Sequence, residues 1–375
     1  MTADSFDLAI VGAGIVGLAH ALAAARRGLK VVVIDRDAQA NGASVRNFGF
    51  VTVTGQQAGA CWRRAMRSRD VWAAIAPQAG IDVIHQGLAV AARYPESVPM
   101  LEAFLETEMG EGCEILTRDR ARERVPGLRD DVQAVLWSPH DLRVESRDAI
   151  PLLSRWLESA MGVSIRRQTS AREVSLPLIE TSAGPIRVEA AIVCPGDDLL
   201  GLYADRIAAY GLTRCKLHMM RLRPQREVRL EAAVMSDLGL VRYLGYAELP
   251  QAEALRRRLR DERSAALDDG VHLIVVRSAD GSLVVGDSHH YADTPDPFAP
   301  DSVDRTILEE FDNVLDIGPY SVAERWTGTY ASASDRLMLV DQPEERVRIV
   351  IVTSGTGAST AFAIAEEVIA DMYGT

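Results

Sequence analysis

The sequence predicts an α/β fold with two lobes, one built on a parallel sheet and the other on an antiparallel sheet. The parallel lobe begins with an apolar run at 8–11, a glycine turn, helical spacing over 15–27 and a second apolar run at 31–34. This order of elements is a βαβ unit, whose two strands run parallel. Two further buried runs lie far along the chain, at 188–193 and 347–352. The parallel lobe is therefore predicted to be discontinuous in sequence.

The second lobe is predicted from segments between these pieces in which apolar and polar residues alternate, the pattern of half-buried antiparallel strands. The alternating segments are 214–223, 232–236, 239–246, 271–277 and 282–286. The simplest architecture inserts this lobe into the first one. The predicted boundaries give 1–85, 145–212 and 318–375 to the parallel lobe, and 86–144 and 213–317 to the antiparallel lobe.

The other elements follow from periodicity and from residues that stop helices. Gly28 is expected to cap the first helix, and Pro77 is expected to end the second. Further helices are predicted at 57–76, 98–110, 147–161, 250–264, 302–315 and 357–372. Further strands are predicted at 87–93, 163–167, 171–175, 178–182 and 326–340.

The composition disfavours several classes of protein. The net charge is −12, whereas a general nucleic-acid surface needs a basic face. The sequence has no run of the ~20 apolar residues that a membrane span requires, and its N-terminus lacks the basic region of a signal peptide. The four cysteines show no metal-binding spacing and are expected to be reduced and mostly buried. A cytoplasmic protein is therefore predicted, with its oligomeric state left open.

The turn between the first strand and the first helix predicts dinucleotide binding. Gly12 permits the tight turn, Gly14 lets the backbone approach a pyrophosphate, and Gly17 lets the helix pack on the strand. Asp35 ends the second strand, where an acidic side chain holds ribose hydroxyls. The predicted contacts of this unit are Gly12, Gly14, Ile15, Val16, Gly17, Asp35 and Arg36. FAD and NAD share this pattern, so it does not separate them.

Two more segments of small residues suit an extended dinucleotide. The first, 42–49, follows the second strand, with Ser44 near the phosphates and Asn47 to Gly49 under the ring system. The second, 353–360, opens a helix whose positive end favours negative charge. Taken alone, the first segment is also typical of an ordinary loop, and the second is also typical of an ordinary helix start. The predicted contacts here are Ser44, Arg46, Asn47, Phe48, Gly49, Ser354, Gly355, Thr356, Gly357, Ala358 and Ser359.

These segments, with a strand that runs into Pro195-Gly196 and the segment Trp326-x-Gly328, resemble the D-amino acid oxidase/glycine oxidase/sarcosine oxidase family. The resemblance implies a discontinuous Rossmann-like FAD-binding domain with an inserted antiparallel β-rich substrate domain. It adds Pro195, Gly196, Trp326 and Gly328 to the predicted FAD contacts. The stretches GASVRNFGF, SPHDLRVESR, VGDSHHY and TSGTGAST resemble the branch associated with 2-aminoethylphosphonate breakdown.

Three positions depart from that family. Tyr330 stands where an arginine of glycine oxidase-like members grips the substrate carboxylate. Thr329 stands where covalent sarcosine oxidases carry a cysteine, so the FAD is predicted to be non-covalent. Val284 stands where those enzymes use a lysine for oxygen activation, which leaves oxygen activation here open.

Candidate substrate residues lie in the inserted lobe. The histidine pair at 289–290 follows a strand, and strand geometry directs only one of the two inward, although a surface turn is an equal alternative. No metal site is predicted, because no third ligand has suitable spacing to this pair. Arg221 and Arg242 are also compatible with salt-bridged residues on the surface, and Tyr246 is also compatible with a packed position on a strand. The predicted catalytic residues are His289 and Tyr330, and the predicted substrate contacts are His290, Arg221, Arg242 and Tyr246.

The resemblance implies FAD-dependent oxidation of a small primary or secondary amine, with 2-aminoethylphosphonate or its N-methyl derivative as the expected substrate. The products would be an aldehyde, ammonia or methylamine, and hydrogen peroxide from dioxygen. One alternative is an amino-acid oxidase or a quinone-linked amino-acid dehydrogenase. A second alternative is a non-catalytic FAD-binding subunit, as occurs in multi-subunit sarcosine oxidases.

Overall fold

Two sheets carry the fold in the computed structural model, which describes residues 5–374. The strands, numbered in chain order, are β1 (Ser5–Val11), β2 (Val31–Ile34), β3 (Phe50–Val51), β4 (Val83–Ala92), β5 (Glu114–Leu116), β6 (Ala134–Val144), β7 (Ser164–Arg166), β8 (Ala171–Ser175), β9 (Leu178–Thr181), β10 (Ile186–Val193), β11 (Thr213–Pro224), β12 (Ala233–Ser236), β13 (Ile274–Arg277), β14 (Leu283–Gly286), β15 (His290–Ala292), β16 (Tyr320–Ser332), β17 (Met338–Glu344) and β18 (Val347–Val352).

The helices lie between these strands, and a short 3-10 helix occupies Glu108–Gly110. They are α1 (Ile15–Arg26), α2 (Ala60–Ala79), α3 (Ser97–Leu105), α4 (Arg118–Arg124), α5 (Ser146–Met161), α6 (Ala204–Ala208), α7 (Asp237–Leu240), α8 (Leu244–Ala247), α9 (Ala252–Glu262), α10 (Ser264–Asp268), α11 (Asp301–Val314) and α12 (Gly357–Tyr373).

The first sheet is the parallel one. Its strand order is β17-β18-β10-β1-β2-β7, and the hairpin of β8 and β9 extends from β10. The pairs among β1, β2, β7, β10 and β18 are all parallel, whereas β17 is antiparallel to β18. The helices α1, α2, α5 and α12 cover one face, and their apolar residues form one continuous core with Leu8 and Ile10 of β1. The prediction of a discontinuous parallel lobe is confirmed.

The second sheet is almost entirely antiparallel. Its order is β15-β11-β14-β13-β12-β4-β6-β3, with β16 on the other edge of β11 and β5 beside β6. Only the β4–β12 pair is parallel among the pairs that the structure describes in this sheet. The two sheets together make the mixed α/β fold that the sequence predicts.

Several predicted elements differ from the structure. Residues 239–246 were expected to form a strand but form the end of α7, a short loop and the start of α8, where a side chain on Gly245 would collide with the backbone carbonyls of Gly55 and Gln56. The helix α2 continues through Pro77 and ends before Gly80, which has φ +66°. The eleven-residue strand β6 was not predicted.

The division into lobes also differs at the C-terminal side. Strand β16 was predicted to belong to the parallel lobe from residue 318, yet it pairs with β11 along 213–224 and so lies in the antiparallel sheet. The chain crosses back to the first sheet only after Ser332. This crossing places the end of β16 next to the parallel sheet, and the cavity described below lies there.

No helix in residues 5–374 combines the length and the apolar character that crossing a membrane would require.

Candidate active site

The three glycines of the first turn have separate structural roles. Gly12 has φ +107°, and a side chain there would collide with the backbone carbonyl of Cys194 on the neighbouring strand. A side chain on Gly17 would collide with the carbonyl of Gly12, so this glycine lets α1 pack against β1. Gly14 is different, because it borders the cavity and a Cβ there would approach only the hydroxyl of Ser44, at 3.0 Å. Gly14 therefore keeps space open beside the N-terminus of α1.

Asp35 stabilises this turn through its carboxylate. One oxygen accepts the backbone N–H of Ala13 at 2.6 Å, and the other accepts that of Asp37 at 2.8 Å. The side chain of Arg36 is directed away and binds Asp198 at 2.7 Å. Asp35 lies at the carboxyl end of β2, as the sequence predicts, whereas its contact with a ribose stays a prediction.

The loop at 42–49 is held in place from two sides. Asn47 donates to the carbonyl of Ala43 at 2.6 Å and accepts the N–H of Gly49 at 2.6 Å. From β16, the Trp326 indole donates to the carbonyl of Arg46 at 3.2 Å, and Gly328 allows the strand to approach that same carbonyl. Trp326 and Gly328 therefore support the loop, and only Gly328 of the two borders the cavity.

The turn before α12 closes the opposite wall. Gly355 has φ +72°, and a Cβ there would lie 3.1 Å from Cζ of Tyr330. The Trp72 indole donates to the carbonyl of Ala358 at 2.8 Å and so anchors the first turn of this helix. The positive end of a 17-residue helix is thereby fixed against the cavity, where it favours negative charge.

These segments enclose one long cavity of about 700 Å³ between the two sheets. Most of the predicted cofactor contacts border it: Gly14, Ile15, Val16, Gly17, Ser44, Arg46, Asn47, Phe48, Gly196, Gly328, Ser354, Gly355, Thr356, Gly357, Ala358 and Ser359. The remaining predicted contacts do not border it: Gly12, Asp35, Arg36, Gly49, Pro195 and Trp326. The cavity runs from the glycine turn of the first sheet to polar side chains of the second.

The polar end of the cavity contains a guanidinium and two phenols. Arg242 lies between α7 and α8, and its guanidinium donates to the hydroxyl of Tyr291 at 3.0 Å. Tyr330 on β16 also borders this end. Arg242 stays charged at all ordinary pH values, because the guanidinium pKa is above 12. This end of the cavity therefore attracts an anionic group.

A second group at the same end is centred on Asp287. Its Oδ1 lies 3.1 Å from Nδ1 of His272, and its Oδ2 lies 3.7 Å from Nε2 of His289. The side chains of all three are buried and border the cavity. Burial raises the pKa of Asp287 to about 7. Burial and the nearby charge of Arg242 lower the pKa values of both histidines well below their ordinary range.

Three of the predicted substrate residues lie outside the cavity, so the structure contradicts their assignment. His290 pairs with Lys216 in register and stacks near His218, because neighbouring strand residues face opposite sides of the sheet. Arg221 is buried among other partners, donating to Ser278 and Ser282 and pairing with Glu145 and Glu324. Tyr246 packs on Phe104, with ring centroids 4.5 Å apart, beneath the cavity wall.

The predicted residues that do meet at the cavity are His289, Tyr330 and Arg242. Sequence reasoning missed His272, Asp287 and Tyr291. Asp287 and Tyr291 flank the histidine pair, and strand alternation from His289 would have found Tyr291 and Asp287 on the same side. His272 gave no such signal, because it lies before β13 and reaches the group only through the pairing of β13 with β14.

The prediction of no metal rested on spacing along the chain, and that reasoning was wrong. Ligand atoms of His272, Asp287 and His289 lie within 4.8 Å of one another. A divalent metal ion would nonetheless leave this group with a net positive charge, because one carboxylate is its only anion and the adjacent Arg242 is a cation. The absence of a metal stays a prediction, now on electrostatic grounds.

The glycine turn lies at a helix N-terminus, and the second, antiparallel sheet borders the same cavity. This arrangement defines the chain as a dinucleotide-dependent enzyme of the Rossmann type. Residues 7–372 match the family described as FAD dependent oxidoreductase (DAO). The chain therefore belongs to this family, and its cofactor is FAD.

Individual relatives agree with this assignment. The chain is 34% identical over 154 residues to one subunit of the opine oxidase of Rhizobium meliloti, a match that covers 36% of this chain and only 40% of the relative. Its fold is similar to that of glycine oxidase from Geobacillus kaustophilus, with 19% identity, a TM-score of 0.77, and coverage of 98% of this chain and 94% of the other. It is also similar to L-proline dehydrogenase from P. horikoshii, with 18% identity, a TM-score of 0.78, and coverage of 99% and 94%.

The cavity fits FAD on its own geometry. A pyrophosphate fits at the start of α1, beside the Ser44 hydroxyl and in the space that a side chain at Gly14 would occupy. The start of α12 suits the electron-rich edge of a flavin ring. Ser44 Oγ accepts the N–H of Ile15 at 2.9 Å, which shows that this hydroxyl lies where phosphate oxygens would bind.

Acid precipitation should release the FAD into the supernatant. Thr329 donates to Asp197 at 2.6 Å at the position where a tethering cysteine would stand. Cys215 is fully buried beside Tyr330 and does not border the cavity. The measurement is the absorbance at about 450 nm of the supernatant and of the washed pellet. Yellow colour that stays with the pellet would contradict a non-covalent cofactor.

Proposed function

We propose that this protein oxidises the C–N bond of a small primary or secondary amine that also bears an anionic group. The observation that carries the proposal is the guanidinium of Arg242 at the polar end of the FAD cavity, with the phenols of Tyr291 and Tyr330 beside it. A charged donor and two neutral donors suit an anion with several oxygens. The buried Asp287 at the same end suits the ammonium of the same molecule.

Within this class we propose 2-aminoethylphosphonate or its N-methyl derivative as the substrate. A phosphonate carries up to two negative charges on three tetrahedral oxygens, so donors that diverge in direction bind it better than they bind a flat carboxylate. Tyr330 offers one neutral donor where glycine oxidase-like members offer an arginine, which disfavours a bidentate carboxylate grip. The four stretches that resemble the aminoethylphosphonate branch support the same choice.

The chemistry divides between cofactor and protein. Bound FAD supplies the acceptor for the hydrogen and electron pair that leave the substrate carbon. Arg242 and the two phenols hold the anionic end, which fixes the position of the amine. The walls formed by the 42–49 loop and by the start of α12 limit access of water. The products would be phosphonoacetaldehyde and ammonia or methylamine, with dioxygen as the proposed final acceptor and hydrogen peroxide as its product.

The names of the relatives support an amine substrate but differ in the electron acceptor that they imply. Glycine oxidase, L-proline dehydrogenase and the opine oxidase subunit all carry names of enzymes that act on nitrogen-bearing acids. One is called a dehydrogenase and one a subunit, so the acceptor and the need for a partner require a direct test.

Peroxide assays in air on five amines test the proposal. The panel is 2-aminoethylphosphonate, its N-methyl derivative, glycine, sarcosine and D-alanine. We expect one of the two phosphonates to have the highest kcat/KM, because only a phosphonate uses all the divergent donors. Faster turnover of a simple amino acid would overturn the phosphonate assignment. Flavin reduction without peroxide would indicate a dehydrogenase, and no reduction by any amine would indicate a non-catalytic subunit.

A further inference from the structure

Four acidic side chains border the cavity, and one of them differs from the rest. Three are bound by other side chains: Asp197 by Thr329, Glu248 by Gln57, and Asp335 by Arg336. Asp287 is 4% exposed, and its Oδ1 has no hydrogen-bond partner. A buried carboxylate without a donor is costly, so an unpaired one at the polar end of a cavity points to a ligand or a proton.

The ring nitrogens of the two histidines beside Asp287 favour a proton on its carboxylate. Nδ1 of His289 lies 2.9 Å from the carbonyl of Gly270, which can only accept, so this nitrogen carries the ring hydrogen. Nε2 of the neutral ring then presents a lone pair to Asp287 Oδ2 at 3.7 Å. Two lone pairs that face each other repel, and a proton held between them removes the repulsion. His272 Nδ1 stands at 3.1 Å on the other oxygen.

The other groups that face Asp287 do not change charge near neutral pH. Arg242 stays cationic and favours the ionised carboxylate, which opposes the effect of burial. Burial raises the pKa of Tyr243 and raises that of Cys215 to about 11, so both stay protonated. The groups with charge or lone pairs directed at Asp287 are Arg242, Tyr243, Cys215, His272 and His289. Asp287, whose pKa burial raises to about 7, is thus the member that titrates.

We propose that Asp287, supported by His272 and His289, accepts the ammonium proton of the substrate before the C–N bond is oxidised. This inference rests on the proposed function. An N–H bond of the ammonium breaks, the electron pair stays on nitrogen, and an O–H bond forms on Asp287 beside the lone pair of His289 Nε2. The neutral amine then has the lone pair that oxidation of the adjacent carbon requires. The proton returns to solvent when the product leaves, which restores the carboxylate.

The pKa of Asp287 determines how the rate of flavin reduction should change with pH. Below a pH of about 7 the acceptor is already protonated, so the rate of flavin reduction falls as the pH decreases. In Asp287→Asn the amine must lose its proton to water instead. With an amine pKa near 10.4, about one molecule in 250 is neutral at pH 8. The variant should therefore reduce its flavin more slowly than the wild type at pH 8, and its rate should gain about tenfold per pH unit up to about pH 10.

The experiment is anaerobic stopped-flow reduction of the FAD-loaded enzyme by 2-aminoethylphosphonate between pH 5.5 and 10. Binding of ethylphosphonate, which has no amine, is measured by flavin difference spectra. We expect Asp287→Asn to bind ethylphosphonate as the wild type does, so that a loss of rate reflects proton transfer. Asp304→Asn is the matched control, since Asp304 is a buried carboxylate 3.3 Å from His218 but does not border the cavity. Its pH profile should match the wild type.

The possible results distinguish the role of Asp287 from amine oxidation itself. A wild-type pH profile in Asp287→Asn, or one tightly bound metal ion per wild-type protein by mass spectrometry, would overturn it while leaving amine oxidation intact. No reduction of the wild-type flavin by any amine would overturn both. If Asp287→Asn does not retain FAD, His289→Leu decides instead, because loss of the lone pair that faces Asp287 should move the acidic limb of the rate profile to lower pH. An unmoved limb in that variant contradicts the proposal.

Discussion

Replacing Gly14 with valine should abolish FAD binding without preventing folding. Gly14 has φ −73° and ψ 177°, a backbone conformation that valine adopts without strain. Apart from its chain neighbours, the only heavy atom of residues 5–374 within 4 Å of the new Cβ is the Ser44 hydroxyl oxygen, at 3.0 Å, so the packing of the lobe is little changed. The valine methyl groups would instead occupy the space in which the pyrophosphate meets the N-terminus of α1. The measurement is flavin content per protein, with far-UV circular dichroism as the test of folding.

Asp35→Ala should weaken FAD binding less than Gly14→Val does. The substitution removes the acceptor for the N–H groups of Ala13 and Asp37 but leaves the cavity open. It also removes the carboxylate that is predicted to accept a hydrogen bond from the FAD ribose, and losing a hydrogen bond to a charged group costs about 1.5 kcal/mol, or roughly tenfold in the Kd for FAD. Normal flavin content in Gly14→Val, with the fold intact, would show that the nucleotide does not bind at this turn.

Arg242→Met should lower kcat/KM for an anionic amine by about 150-fold, the second-largest effect expected. The change removes the only guanidinium at the polar end of the described cavity and keeps a side chain of similar length. Losing one partner of a charged, hydrogen-bonded contact in a partly buried site costs about 3 kcal/mol, which converts to that factor. The effect should depend on the charge of the substrate. An amine without an anionic group, such as propylamine, should react equally well with both proteins.

Three further substitutions make this test specific. Arg242→Lys keeps the charge but loses the planar fork, so we expect an intermediate loss of about tenfold. Tyr330→Phe removes one neutral donor and should cause a smaller loss still. Arg221→Met is the matched control, because Arg221 is a buried arginine that pairs with Glu145 and Glu324 and does not border the cavity. It should lower the melting temperature and leave KM unchanged. A rise of KM in Arg221→Met equal to that in Arg242→Met would contradict the assignment.

The sequence alone predicted the parts of the molecule that depend on local patterns. The turn at Gly12 to Gly17 is defined by consecutive residues with fixed roles, and Gly28 ends α1 with φ +78°, as expected. The separated strands β10 and β18 were found because strands buried on both faces form continuous apolar runs. These features need no knowledge of which segments meet in space.

The polar end of the cavity could not be predicted in the same way. Arg242 lies on a segment that alternates like a strand, but it forms a loop between two short helices. His272 and His289 meet only because β13 and β14 pair in one register, and a single sequence does not specify that register. Arg221 and His290 looked equally suitable in sequence, and only the sheet separates them from the cavity.

Anaerobic reduction of the bound FAD by the same panel of amines tests amine oxidation at this cavity without further assumptions. Without oxygen, the loss of flavin absorbance reports C–N oxidation alone, independently of the final acceptor. We expect 2-aminoethylphosphonate or its N-methyl derivative to bleach the flavin faster, at equal concentration, than glycine, sarcosine or D-alanine. A flavin that stays oxidised with every amine would contradict the proposal that this cavity oxidises a small anionic amine.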